Sequence, residues 1–555
     1  MRANAREGSG SVIRTSLPDW RLPLRAWQRD AYAAWNEERP TDALVVATPG
    51  AGKTRFAARL AHALVADRSV SRVIVVVPRE HLKAQVARAM AGAWIQLDHR
   101  FRNVDRTLAS DLDGAGVTYQ QVAASPTTFA AMTRVPTLVL LDEIHHAGEQ
   151  ASWGQALRDA FGAAKYRVSL SGTPFRSDGA AIPFVRYEAG ECGPLTSYDY
   201  ARALGDGVCR ALVFPLHGGE AEWISRDGTQ MRASFEDDLE RRHASERLRT
   251  ALTQPGWLGD VLEKAHLKLL EARAEGHADA GGLVAAMNQE HARFVADLLE
   301  RRCGQKAELV VSDLDDASRR IARFAGSRDP WIVAVHMISE GVDIPRLRVG
   351  VFASNVISEL YFRQFCGRFV RAGGDPAQRR EAFVYLPDDA RLRTMASSIA
   401  GDVRRGLRGT DRDEAAAALA AANRAEPAAD AGEFASIAAT AREGHTLDFG
   451  PLFNPTKYLS APAENARVPD AESEPDRAAE RTLLTHAERR DALRGELRAL
   501  VARASVQFAV DHKLVHATLN QRFGGPVATA TLAGLEARRR LITSWLERRV
   551  YDGLR

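Results

Sequence analysis

Residues 47–54 read Ala-Thr-Pro-Gly-Ala-Gly-Lys-Thr and follow the apolar run Leu44-Val45-Val46. A glycine-rich turn between a strand and a helix constrains everything around it. The strand must sit in a sheet whose next connection crosses its face as a helix, which is the parallel α/β arrangement. The reason lies in the backbone: glycine reaches conformations closed to other residues, so N–H groups at the helix N-terminus can turn inward around phosphate oxygens. Thr48, Pro49, Gly50, Ala51 and Gly52 would form that cradle. Lys53 would meet the β- and γ-phosphates of ATP, and Thr54 would offer its hydroxyl to Mg²⁺. The strict pattern opens on glycine, whereas this chain has Ala47 there.

A second motif, Asp142-Glu143-Ile144-His145, follows another apolar run, Leu138-Val139-Leu140-Leu141. Here Asp142 is suited to holding the metal and Glu143 to orienting and deprotonating an attacking water. The two motifs, in this order and each behind a strand-like run, point to ATP hydrolysis.

The 555 residues exceed what one hydrophobic core organises. Residues 1–20 carry Gly, Ser and Arg without periodicity and read as a loose lead-in. From 21 to 205 short apolar runs alternate with helical stretches, including Val73–Val77 and Arg167–Leu170, as a parallel sheet requires. A second α/β unit is expected over 206–400, with strands at Leu283–Met287, Leu309–Val311, Trp331–Val335, Val349–Ala353 and Ala382–Leu386. In it Leu258, Val261, Leu262, Ala265, Leu269 and Leu270 share a helical face. Residues 401–480 are rich in Ala and acidic residues and read as a linker. Helical periodicity returns over 481–555: Leu493, Leu497, Leu500 and Val501, then Leu514, Val515 and Leu519, then Leu532, Leu535, Leu541, Ile542 and Trp545. Gly524-Gly525-Pro526 should stop the middle helix.

Charge is informative only locally. The net charge of +4 does not by itself imply nucleic acid, and only eight of the 75 basic residues are Lys. That Arg excess suits phosphate recognition, and a GC-rich genome would produce it equally. In residues 481–555, 14 basic residues face 7 acidic ones, which fits either a nucleic-acid or acidic-partner surface or a solvated helical face. The four cysteines, Cys192, Cys209, Cys303 and Cys366, form no C-x-x-C pair, which argues against zinc and disulfides. No apolar stretch reaches the roughly 20 residues of a membrane span. No secretory signal opens the chain, so a cytoplasmic protein is expected.

Beyond the two ATP motifs, further signatures follow in order over residues 21–390, and together they resemble the superfamily 2 helicases and translocases of the DEAD/DEAH type, closest to the restriction-motor and DNA-repair branch. The resemblance implies an α/β fold of two tandem RecA-like domains, followed by the linker and a small all-helical domain. Leu24-Arg25-Ala26-Trp27-Gln28 resembles the Q motif, in which Gln28 would read adenine. Val77-Pro78-Arg79-Glu80 and Gly116-Val117-Thr118-Tyr119-Gln120 resemble strand-binding motifs, making Pro78, Arg79, Thr118 and Tyr119 candidate nucleic-acid contacts. Ser171-Gly172-Thr173 resembles the coupling motif; Ser171, Thr173 and His145 would link the ATP site to the strand-binding face. His146 reads as an interface histidine and neither His as a metal ligand.

In the second unit, Met287-Asn288-Gln289 fits motif IV loosely and Ser339–Pro345 resembles motif V, with Gly341 and Asp343 near the ribose and the interdomain cleft. Gln364-Phe365-Cys366-Gly367-Arg368-Phe369-Val370-Arg371 resembles motif VI. There Gln364 would position water, and Arg368 and Arg371, three apart on a helix, would reach the γ-phosphate. The implied activity is an ATP-dependent helicase or translocase that moves on nucleic acid, DNA favoured over RNA, using ATP and Mg²⁺. An RNA helicase, or an ATP-switched component of a defence or replication complex, is the alternative. A protein partner would dock on the C-terminal helices. No acid–acid–Lys nuclease cluster accompanies the motor.

Overall fold

The computed structural model describes residues 17–105, 107–145, 151–172, 182–188, 191–311, 317–335, 344–372, 380–408, 435–448 and 485–552. The first sheet is built from β1 (Asp42–Ala47), β2 (Arg72–Val77), β3 (Leu97–Asp98), β4 (Gly114–Thr118), β5 (Thr137–Asp142) and β6 (Tyr166–Ser171). Two short strands, β7 (Tyr187–Glu188) and β8 (Glu191–Cys192), pair apart from it, and β9 (Thr196–Tyr198) completes its edge. Its spatial order is β3-β4-β2-β5-β6-β1-β9, parallel throughout. Val73–Val77 and Leu138–Leu141 are buried, as helices covering both faces demand.

The second sheet contains β10 (Leu212–Ile224), β11 (Gln230–Ser234), β12 (Gly281–Ala286), β13 (Ala307–Val310), β14 (Trp331–Val335), β15 (Leu347–Ala353), β16 (Ala382–Pro387) and β17 (Ala435–Asp448). Its order is β11-β10-β16-β15-β12-β14-β13, with β17 on the remaining edge of β10. The strands expected from sequence form its parallel part. The antiparallel additions β11 and β17 were not expected, and β17 falls inside the segment read as linker. Its sequence, ASIAATAREGHTLD, is too small-residue and polar to announce a strand. It is held by main-chain pairing along β10, from Val213↔Asp448 to Ile224↔Ala435. Gly219 is required there: at φ +117°, an added Cβ would lie 1.9 Å from the Thr440 carbonyl oxygen.

In the helix Pro255–Ala274, Leu258, Val261, Leu262, Ala265 and Leu269 are buried as expected, but Leu270 is 46% exposed. Eight residues beyond Leu262, it has rotated past the edge of the apolar stripe at about 100° per residue. No helix among the described residues is long and apolar enough to cross a membrane.

The C-terminal helices span His486–Phe508, His512–Phe523 and Leu532–Arg548. Thr485 and Glu488 form a reciprocal capping box, and Gly524, at φ +69°, ends the middle helix as expected. Leu493, Leu497, Val501, Val515, Leu519, Leu535, Ile542 and Trp545 make a separate core. This bundle docks on the β3 side of the first sheet. The Asp111 carboxylate accepts from buried Arg490 at 2.9 Å and from the Leu532 N–H, the first of its helix, at 2.7 Å. Arg88 pairs with Glu488 at 2.6 Å and Arg100 with Asp491 at 2.7 Å.

Candidate nucleotide site at the seam of the two sheets

The loop after β1 turns through Gly50 (φ +80°) and Gly52 (φ +89°) into the helix Lys53–Ala66. Three side chains from one short segment brace its backbone. Arg25 Nη1 donates to the Gly50 carbonyl at 2.9 Å, Trp27 Nε1 to Ala51 at 3.0 Å and Gln28 Nε2 to Gly52 at 2.8 Å. The Gln28 carbonyl oxygen accepts from the Arg25 N–H at 2.8 Å. In this structure the Gln28 amide therefore ties the first helix to the loop. Arg25 and Trp27, beside Gln28 in the same segment, are functional braces of the loop whose guanidinium and indole donors are visible in the sequence. Thr48 anchors the other end, its N–H donating to Tyr198 at 3.0 Å.

Lys53 and Glu143 meet directly, Nζ to Oε1 at 2.8 Å, and Lys53 Nζ also reaches the Ala47 carbonyl at 3.3 Å. Glu143 adopts φ +49°, a left-handed conformation costing a non-glycine residue about 1–3 kcal/mol. Its Oε2 accepts from the Gly172 N–H at 3.3 Å and lies 3.6 Å from His145 Nδ1. Burial alone would raise the Glu143 pKa, but the Lys53 ammonium, His145 and the Gly172 N–H outweigh it and hold the carboxyl down at about 2.

His145 carries this network across the seam. Its Nδ1 lies 3.2 Å from Ser171 Oγ, and its Nε2 lies 3.3 Å from Gln364 Nε2 of the second unit. The ring thereby links Ser171 of the first unit to Gln364 of the second. Ser171 and His145 are both buried.

Motif VI sits on the phosphate loop. A Cβ added to Gly50 would fall 2.8 Å from Arg371 Cγ, and one on Gly367 would fall 2.8 Å from Pro49 Cγ. Cys209, on the connection between the sheets, bridges Arg371 and directs its thiol to the Pro49 carbonyl at 3.7 Å. One correction concerns the two arginines. Their helix, Glu359–Cys366, ends before them, so they do not share a helical face. Gly367 caps it, and the chain then turns to pair with Cys209. Arg371 consequently overlies Gly50. Arg368, half-buried, faces the end of β2, where burial first, and then Arg79 and Arg368, depress the His81 pKa.

Thr54 and Asp142 are half-buried, at the start of the helix after the loop and at the end of β5. A hydroxyl and a carboxylate beside an ammonium and a helix N-terminus are a suitable donor set for a magnesium nucleotide. Arg79 is exposed and Pro78 half-buried at the end of β2. Thr118 and Tyr119 are buried in this structure. Thr118 Oγ1 caps a helix by accepting from the Gln121 N–H, and the buried Tyr119 hydroxyl donates to the Asp142 carbonyl at 2.8 Å. An apolar ring of that size after β4 is drawn into the core beneath the acidic motif. Thr173, Gly341, Asp343 and His146 lie outside the described residues.

Residues 21–176 match the family model described as type III restriction enzyme, res subunit. The Mycobacterium tuberculosis (strain CDC 1551 / Oshkosh) protein "Uncharacterized protein MT2985" is 37% identical over 579 residues, covering 97% of this chain and 95% of its own. The "DNA 3'-5' translocase XPB2" of Sulfurisphaera tokodaii is 25% identical over 386 residues, covering 63% of this chain and 79% of its own. Among solved structures, the Mycobacterium smegmatis helicase Lhr bound to ssDNA and AMP-PNP aligns with a TM-score of 0.44 at 17% identity, over 70% of this chain and 48% of that one. The nearly full-length match shows that the chain belongs to one family with the mycobacterial protein, and within it the first sheet carries the match to the type III restriction enzyme res subunit.

Proposed function

We propose that this protein is an ATP-driven translocase or helicase acting on DNA, with ATP held between the loop 48–54 and the motif VI segment. The observation that supports this reading is the seating of the Arg371 stem on Gly50, from which its guanidinium would reach phosphates held by the loop. The choice of DNA rests on the translocase relative, whose printed name specifies it.

The Lys53–Glu143 pair suggests how binding would arm hydrolysis. Incoming phosphates compete for the Lys53 ammonium. Once Lys53 leaves, the largest attraction holding the Glu143 pKa down is lost and burial acts unopposed by it. The carboxylate becomes a better base when substrate is present. Mg²⁺, held by Thr54 and Asp142, would neutralise charge on the phosphates. His145, which also contacts Ser171, would relay the state of Glu143 to Gln364 of the second unit, and Arg371 would stabilise charge developing on the transferred phosphoryl group. The proposed motor comprises residues 21–205 and the sheet beginning at β10, extended to include β17, with 481–555 as an accessory bundle.

The test is ATP turnover titrated with single-stranded DNA, duplex DNA and RNA, with strand displacement and translocation measured in parallel. DNA-stimulated turnover with movement is expected. Stimulation by RNA alone would assign an RNA motor, and turnover without movement would assign a switch.

A further inference from the structure

We infer that Arg210 is a positioning residue for Arg371, setting the catalytic cation from the connection between the two sheets. Arg210 belongs to none of the sequence motifs. It lies between the helix Tyr200–Gly205 and β10, and its side chain is fully buried. The carbonyls it engages give it a specific task. Its Nε donates to the Arg371 carbonyl at 2.6 Å, and Nη2 donates to that same oxygen and, at 3.4 Å, to Pro345. Its backbone N–H donates to Val370 at 2.7 Å, and its own carbonyl accepts from the Tyr200 hydroxyl at 2.7 Å.

The fork thus clasps the main chain of the residue whose side chain overlies Gly50, and reaches the proline that ends motif V. Cys209 adds the bridge to Arg371 and the thiol contact to Pro49. Beyond Gly367 no helix restrains residues 368–371, so the direction of the Arg371 side chain depends on how its backbone is held. A planar guanidinium with two donors on one oxygen fixes that carbonyl in direction as well as position, which an ammonium does less well. Arg210 touches neither the loop nor the acidic motif through its described bonds, so removing it should misplace Arg371 and leave nucleotide binding intact.

The inference rests on reading Arg371 as the catalytic cation, so the experiment separates the two. Full-length Arg210→Gln, Arg210→Lys, Arg371→Ala, Arg210→Gln/Arg371→Ala and Lys53→Ala are compared for kcat, KM, affinity for a fluorescent ATP analogue, and Tm. Arg210→Gln should lower kcat by about 10–100-fold, the scale of a misplaced catalytic group, with analogue affinity within about twofold. Arg210→Lys should recover part of the loss. In the Arg371→Ala background, Arg210→Gln should cost nothing further. Unchanged kcat in Arg210→Gln, or losses that multiply in the double variant, would overturn the inference while leaving the site standing. Full turnover in Lys53→Ala would overturn the site itself. If Arg210→Gln does not fold, Arg210→Lys is placed in both backgrounds. A loss of kcat at constant affinity that vanishes beside Arg371→Ala supports the inference, and any other result overturns it.

Discussion

Two seams meet at the first sheet, and they use charge in opposite ways. Where the C-terminal bundle docks, charges are matched and used up. Asp111 satisfies Arg490 and a helix N-terminus together, while Arg88 and Arg100 each find a carboxylate. Where the second sheet meets the loop after β1, close contacts include Arg371 on Gly50, Gly367 on Pro49, the Cys209 thiol on the Pro49 carbonyl, and Gln364 on His145. The ionic pair there is of another kind: Lys53 meets a carboxylate that sits on left-handed backbone, and under the proposed function a phosphate would replace that carboxylate.

That contrast breaks first at Arg371. Arg371→Ala should reduce ATP turnover by about 10³-fold, the scale of an arginine finger, with Tm little changed. Turnover within tenfold of wild type would make the two seams alike. Asp111→Ala should loosen the bundle by about 3 kcal/mol, because it strands the buried Arg490. Hydrogen exchange should rise in residues 486–491 and 532–535 while basal turnover persists, and unchanged protection would disprove the latch.

Acid sharpens the comparison. Glu143 has its folded pKa lowered from 4.5 to about 2, so the stabilisation it contributes is present above about pH 4.5 and disappears as pH falls toward 2. The stability difference between wild type and Glu143→Gln should thus be constant from about pH 5 to 8 and shrink only in acid. A difference that does not shrink in acid would show that Lys53 does not hold the carboxylate. Tyr119→Phe removes one hydrogen bond beneath the acidic motif and should cost about 1 kcal/mol, with DNA affinity unaltered. A clear loss of DNA binding would restore Tyr119 as a contact. The smallest effect belongs to Arg88→Ala, whose half-exposed pair contributes under about 1 kcal/mol and should fade with salt.

The bundle also revises the reading of its basic surplus. Arg538 is buried, donating to the Gly525 carbonyl at 2.7 Å, and Arg539 pairs with Glu496 at 3.1 Å. The run Arg538–Arg540 is therefore no uniform cationic patch, and Arg538 helps hold the turn between two helices.

Much of the architecture was legible because it rests on local rules. β1, β2 and β5 declared themselves as apolar runs, the glycine turn between β1 and its helix could be read residue by residue, and Gly524 ended its helix where a left-handed cap belongs. The central strands of the second sheet were equally visible, since a strand buried on both faces must be apolar along its length. β17 was not, because its partner along β10 supplies hydrogen bonds that no composition records.

In the site, sequence alone determined which chemical groups the molecule carries: a phosphate loop with Lys53, an acidic pair, and two arginines in the second unit. Only the tertiary structure decided their employment. It laid Arg371 over Gly50 beyond the end of its helix, turned Tyr119 inward, and set Arg210 on the Arg371 carbonyl. A motif is a property of neighbouring residues, but the direction of a side chain is settled by whatever packs against its backbone, and here that came from residues 160 positions away, as with Cys209 and Pro49.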